Sequence, residues 1–131
     1  METPRTEEEF KEKLSSEQYR VMREKGTEPR FSGEYVEKDD DGLYRCAACG
    51  NQLFSSKTKY SSNCGWPSFY DADEGSVEFQ EDKSHGMERT EVLCTECGSH
   101  LGHVFDDGPE PTGKRFCINS VALEFEEVSD S

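Results

Sequence analysis

Two copies of one short motif, Cys46-Ala-Ala-Cys49-Gly50 and Cys94-Thr-Glu-Cys97-Gly98, constrain this chain more than anything else in it. Two thiolates at i and i+3 on a tight turn converge on one ion. The glycine that follows allows positive φ and lets backbone N–H groups aim at sulfur. Two such knuckles complete a tetrahedral four-sulfur site, the closed geometry of structural zinc. Forty-four residues lie between Cys49 and Cys94, so the ion ties distant parts of one fold together. A thioredoxin-type redox pair fits poorly, because neither motif is expected to follow a strand and open a helix in a βαβ pattern. Sulfur ligands alone also suit an iron or iron–sulfur site. Catalytic zinc is disfavoured, since four cysteines leave no open position.

A staple is what this composition calls for. The chain has 131 residues, of which 31% are hydrophobic and 34% charged, a thin core for one domain of this length. Its net charge of -14 repels phosphate backbones, so no nucleic-acid partner is expected. No apolar run approaches the roughly 18 residues needed to span a bilayer. The N-terminal METPRTEEEF lacks a signal peptide's apolar stretch. The expectation is a cytoplasmic monomer with no membrane contact. In that compartment six cysteines favour metal and reactive thiols over three disulfides.

One domain is expected over residues 1–131, in three parts. Residues 1–30 read as short peripheral helices: Phe10, Leu14, Val21 and Met22 are apolar positions among charges, and Gly26 is a stop. Thr6 with Glu9 fits a capping box and Ser16 is a second cap. The charges read as a solvated face. Residues 31–125 read as a mainly β body with strands at 42–45, 76–80, 88–93 and 115–125, and turns at 39–42, 71–75 and 106–113. Residues 126–131 form an acidic tail. Many short strands between turns favour antiparallel sheets with peripheral helices.

Setting the knuckles aside leaves Cys64 and Cys117. On a strand, alternation places Arg115, Cys117 and Asn119 on one face, continued by Val121, Leu123 and Phe125 as core. A cation near a thiol stabilises the nucleophilic thiolate; a small buried core cysteine fits the pattern equally well. The stretch from His100 to Pro109 follows the second knuckle and reads as a loop positioned by the metal. Its His100 and His103 suit proton transfer beside Cys117, although a structural role accounts for one of them readily. Cys64-Gly65-Trp66-Pro67-Ser68-Phe69 holds the only tryptophan. A rigid indole beside a thiol suits a sulfur-bearing apolar ligand, and a core tryptophan anchoring a loop is the commoner case.

Together these pieces resemble the methionine-R-sulfoxide reductase B family over about residues 10–125. The landmarks are Thr27-Glu28-Pro29, Phe31-Ser32-Gly33-Glu34-Tyr35, both knuckles, Cys64–Phe69, Arg89-Thr90-Glu91-Val92, His100–Pro109 and Arg115–Ser120. Arg30 and Gly98-Ser99 depart from the family pattern outside the catalytic stretches. The resemblance implies two antiparallel sheets, one structural zinc on Cys46, Cys49, Cys94 and Cys97, and Cys117 as the catalytic nucleophile. It implies that Trp66 cradles the substrate methyl group and that His100, His103 and Asn119 line the site. Arg115, Phe116 and Val104 complete the expected substrate-binding set. Cys64 falls where many relatives keep a resolving cysteine. The expected activity is repair of methionine-R-sulfoxide, through a Cys117 sulfenic acid and a Cys64–Cys117 disulfide recycled by thioredoxin or a similar dithiol.

Two rival classes remain at this stage. A non-catalytic zinc ribbon that binds a partner protein would need the knuckles but neither Cys64, Cys117 nor the histidines. A disulfide-rich secreted domain would show three bridges and no metal.

Overall fold

The computed structural model describes residues 6–29, 33, 35, 40–60, 65–83, 86 and 88–127. Two short helices come first among the described residues. Helix α1 (Glu7–Lys13) starts where the Thr6 hydroxyl accepts the Glu9 N–H, with three glutamates in the first turn facing the positive helix end. Helix α2 (Ser16–Met22) is capped one residue earlier than expected: Ser15, not Ser16, forms a full capping box with Gln18. Phe10, Leu14, Val21 and Met22 are buried, as their spacing predicted.

Among the described residues nine strands follow: β1 (Gly42–Cys46), β2 (Gln52–Ser55), β3 (Lys59–Tyr60), β4 (Ser68–Phe69), β5 (Val77–Asp82), β6 (Arg89–Cys94), β7 (His100–Phe105), β8 (Arg115–Ile118) and β9 (Leu123–Glu127). They form two antiparallel sheets, a three-stranded one ordered β2-β1-β9 and a six-stranded one ordered β3-β4-β8-β7-β6-β5. The expected mainly β, two-sheet architecture is therefore what the chain adopts. A stack of aromatic rings forms much of the core. Phe54 and Phe69 lie with centroids 4.3 Å apart, Tyr44 meets Phe69 edge-on, and Phe116 meets Phe54 edge-on.

Three sequence expectations need correction. The run 115–125 is not one strand: β8 ends at Ile118, Ser120–Ala122 form a 3-10 turn, and β9 crosses to the other sheet to pair with β1. The face of Arg115 and Cys117 therefore does not continue through Val121 to Phe125. The stretch from His100 to Phe105 is a strand in the middle of the larger sheet, not a loop. Its hydrophobicity is broken by His and Gly, which masked the pattern. Glu126 and Glu127 belong to β9 rather than to a tail; residues 128–131 lie outside the described residues.

Each knuckle closes a β-hairpin. Cys46 ends β1 and its turn leads into β2; Cys94 ends β6 and its turn leads into β7. The two turns come from different sheets, so four sulfurs join one sheet to the other.

Candidate active site

The sulfur cluster holds its shape through both turns. Gly50 and Gly98 adopt φ of 81° and 73°, as the motif predicted. Their N–H groups donate to the carbonyls of Cys46 and Cys94 rather than to sulfur, and a donor to sulfur is the Asn51 side-chain amide, 3.6 Å from Cys94 Sγ. All four Sγ atoms lie within 4.8 Å of one another. Cys46 Sγ is 3.7 Å from Cys97 Sγ, and Cys49 Sγ is 3.6 Å from Cys94 Sγ. A disulfide needs about 2.05 Å, whereas a tetrahedron with metal–sulfur bonds of about 2.3 Å has edges of about 3.8 Å. The residues therefore fit a four-sulfur metal centre. Arg23, the C-cap of α2, grips the second knuckle from outside: it donates to the Cys97 carbonyl at 3.1 Å and to the Ser99 hydroxyl at 3.3 Å. The same Arg23 stacks on Phe10 and pairs with Glu7.

On the larger sheet, a small cleft of about 70 Å³ brings Trp66, His103, Cys117 and Asn119 together. The sheet register explains the central pair, because His103 on β7 lies directly opposite Cys117 on β8. The next pair in the same ladder on that face is Phe105 with Arg115. Arg115 Nη1 donates to Cys117 Sγ at 3.0 Å. A bidentate contact to Asp107, at 2.8 and 3.1 Å, and stacking on the Phe105 ring fix the guanidinium in that position. The Asp107 hydrogen bond holds Arg115 above its ordinary range, against partial burial, and the Cys117 sulfur pulls the same way.

The two histidines have different environments. His103 Nε2 lies 2.8 Å from Asp82 at the end of β5, and Asp82 also meets Arg89 at 3.5 Å. His100 is buried and its Nδ1 lies 2.6 Å from Glu91, which Lys25 caps from the surface at 3.3 Å. Burial pushes the His100 imidazole below its usual range, against the pull of Glu91. His100 packs edge-on against His103 but does not line the cleft. Asn119 is held through both ends of its amide, accepting from the Glu28 N–H at 3.0 Å and donating to the Leu101 carbonyl at 3.0 Å.

Of the expected substrate-binding set, Trp66 borders the cleft and Arg115 touches the Cys117 sulfur. Phe116 and Val104 instead point into the core, because strand alternation turns them away from the Cys117 face. Cys64 lies outside the described residues. Sequence reasoning missed Thr27, Arg89, Gly102 and Phe105 on the cleft wall. Gly102 permits close strand approach, since a Cβ there would collide with the Cys117 backbone carbonyl. It missed the carboxylates behind the site as well, Asp82, Glu91, Asp107 and Glu28. The Asp107–Arg115 separation across a turn was the one available signal.

The segment after α2 is not peripheral. Thr27 reaches the cleft, and Glu28 is buried behind it.

Comparison with known proteins agrees with this geometry. The SelR domain matches residues 14–127, which defines the chain as a SelR-type oxidoreductase. It is 57% identical over 126 residues to the peptide methionine sulfoxide reductase MsrB of Leptospira interrogans, covering 95% of this chain and 96% of that one. It is 56% identical over 128 residues to the MsrB of Methanosarcina mazei, covering 97% and 91%. To the mouse methionine-R-sulfoxide reductase B3, mitochondrial, it is 50% identical over 127 residues, covering 96% of this chain and 50% of that one. The chain belongs to the methionine-R-sulfoxide reductase B family. Among solved structures, the Mis18 'Yippee-like' domain shares the fold at a TM-score of 0.56 and 18% identity, covering 70% of this chain and all of that one.

Proposed function

We propose that this protein reduces methionine-R-sulfoxide in oxidised proteins to methionine, with Cys117 as the nucleophile. The observation that carries this reading is the Arg115 guanidinium 3.0 Å from Cys117 Sγ, itself fixed by Asp107. A cation in that position stabilises thiolate, the form that attacks. A sulfoxide sulfur is a poor electrophile until its oxygen is protonated or strongly hydrogen-bonded. His103, opposite Cys117 in the ladder, is the proton donor, with Asn119 and His100 supporting the site around it.

In the first half-reaction the Cys117 thiolate takes the sulfoxide oxygen with uptake of one proton. Cys117 becomes a sulfenic acid, oxidised by two electrons, and the substrate leaves as the thioether. In the second, the Cys64 thiol displaces water from that sulfenic acid and forms a Cys64–Cys117 disulfide. A dithiol of the thioredoxin type then reduces the disulfide by exchange. Trp66 faces the methyl group and so sets which epimer fits. The four knuckle cysteines hold one structural zinc, which stabilises the fold and takes part in no step. We assign one domain to the whole chain, acting as a monomer.

The test is direct: incubation with the R epimer of a methionine sulfoxide and dithiothreitol yields methionine, and the S epimer does not. Cys117→Ser abolishes the reaction, and retained turnover would remove Cys117 as nucleophile. Cys64→Ser keeps a single turnover while slowing thioredoxin-driven cycling.

A further inference from the structure

Glu28 is an anomaly in the segment that carries it. Lys25, Thr27 and Pro29 around it are exposed, yet Glu28 retains only 2% of its accessible surface. It touches two residues of the cleft wall and the turn behind them. Its carbonyl accepts the Trp66 indole N–H at 2.9 Å. Its own N–H donates to Asn119 Oδ1 at 3.0 Å. Its carboxylate accepts the Val121 N–H at 3.0 Å, at the 3-10 turn that ends β8. The backbone at Gly33 closes over the carboxylate, because a Cβ there would collide with Glu28 Oε2 and the Ser120 hydroxyl.

The logic of the arrangement lies in which bonds belong to the side chain and which to the main chain. The main chain of residue 28 orients Trp66 and Asn119, while the adjoining Thr27 carbonyl is held by an exposed Arg20 bond. The carboxylate bond to Val121 adds an anchor at the 3-10 turn. A buried carboxylate is costly unless hydrogen bonds compensate it; the donors from Val121 and Ser120 do so in part, and burial still pushes this carboxyl above its usual range.

We infer that Glu28 is a positioning residue of the sulfoxide site: its carboxylate, anchored on the Val121 N–H, holds the main-chain segment that aims the Trp66 indole and the Asn119 amide. The inference rests on the activity proposed above for the cleft. It makes the N-terminal segment a wall of the site and gives Glu28 a role in binding the substrate rather than in the attack, since Arg115 and Asp107 hold Cys117 independently of it.

The experiment compares Glu28→Ala, Glu28→Asp and Glu28→Gln with the parent. Trp66 is the only tryptophan, so its emission reports the indole without interference. In Glu28→Ala, Trp66 emission moves to longer wavelength and acrylamide quenching rises. KM for a methionine-R-sulfoxide peptide increases about tenfold, the loss of roughly one hydrogen bond's worth of positioning, with a smaller change in kcat. The pH profile of Cys117 alkylation stays where it is. Glu28→Gln keeps an oxygen acceptor for Val121 and restores most of the emission and KM. Glu28→Asp, one methylene short, gives an intermediate shift and serves should the alanine variant not accumulate as folded protein. Parent-like emission and KM in Glu28→Ala and Glu28→Asp overturn the inference. So does a uniform loss of emission, alkylation and turnover with no recovery in Glu28→Gln, which marks a purely structural residue. If the parent itself does not turn over sulfoxide while Trp66 emission still answers to Glu28→Ala, the proposed activity fails and the positioning of the indole stands.

Discussion

Replacing Arg115 with Gln removes the cation 3.0 Å from Cys117 Sγ and leaves the backbone of β8 intact. Two estimates bracket the effect. A hydrogen bond to a charged group contributes about 1.5–3 kcal/mol. Two unit charges about 4 Å apart near a protein surface interact by about 4 kcal/mol, and here the bidentate contact to Asp107 neutralises part of that. The hydrogen-bond range is therefore the better guide. At 1.36 kcal/mol per pH unit, the midpoint of Cys117 alkylation moves up by about one to two units, and the rate at pH 7 falls by about three- to tenfold, since the higher basicity of the sulfur offsets part of the lost thiolate fraction. The assay is iodoacetamide modification across pH 5–10, read by mass spectrometry on the Cys117 peptide in a Cys64→Ser background. A small reagent is needed because Cys117 is only 8% exposed. Above both midpoints the variant reacts at least as fast as the parent, because a more basic thiolate is intrinsically more nucleophilic. Asp107→Asn keeps the cation but loosens it, and gives a smaller shift in the same direction. An unmoved profile in Arg115→Gln would refute the thiolate argument, and with it the reason for reading Cys117 as a nucleophile.

Four other outcomes are expected. Cys94→Ser breaks the four-sulfur cluster, so metal analysis falls from about one zinc per chain toward none and the melting temperature drops; a fully folded, metal-free variant would sink the staple. Gly102→Ala drives a methyl group into the Cys117 carbonyl, and chemical denaturation registers a loss of about 1–3 kcal/mol from overpacking. Glu91→Ala leaves the buried His100 Nδ1 without its partner; an unsatisfied buried polar group costs about 1–3 kcal/mol, read from the urea midpoint. His100 also links stability to pH. Its folded imidazole is pushed down by burial, so the unfolded chain binds a proton that the folded one refuses. Its contribution is present above about pH 6.5 and is lost as pH falls through that value. The difference in urea midpoint between parent and His100→Gln shrinks accordingly between pH 7.5 and 5.5.

The parts of this molecule that were legible in the sequence are those whose chemistry is local. A CxxCG knuckle is a complete device within five residues, so the metal cluster and the positive φ at Gly50 and Gly98 followed from spacing alone. Alternation over Arg115 to Cys117 put the cation beside the thiol, because i and i+2 share a face of any strand. The limit of that argument came two residues later. Alternation carries no information about where a strand ends, and the turn at Ser120–Ala122 sent Leu123 into a different sheet. The strand β7 was hidden for a related reason. Its His100, Gly102 and His103 are there for the site and for close approach to β8, so they break the apolar pattern by which a central strand is ordinarily read.

The carboxylates behind the cleft were illegible for a deeper reason. In a chain where 29 residues are Asp or Glu, each one is reasonably assigned to solvent, and most are exposed. Glu28, Glu91 and Asp82 differ from the rest through partners on other strands or segments. Glu28 meets Trp66, Asn119 and Val121 at separations of 38, 91 and 93 residues. No local pattern encodes such a meeting, and intrinsic preferences treat Glu28 as one more acidic residue among its charged neighbours. A strongly acidic composition thus hides the few acids that matter, and burial is the observable that separates them. A carboxylate that this chain keeps at 2% exposure or less, as it does Glu28 and Glu91, would be lost to a neutral residue unless its placement served something. Glu28 stands directly behind the indole and the amide of the cleft, and Glu91 holds His100, which packs against His103 of the cleft.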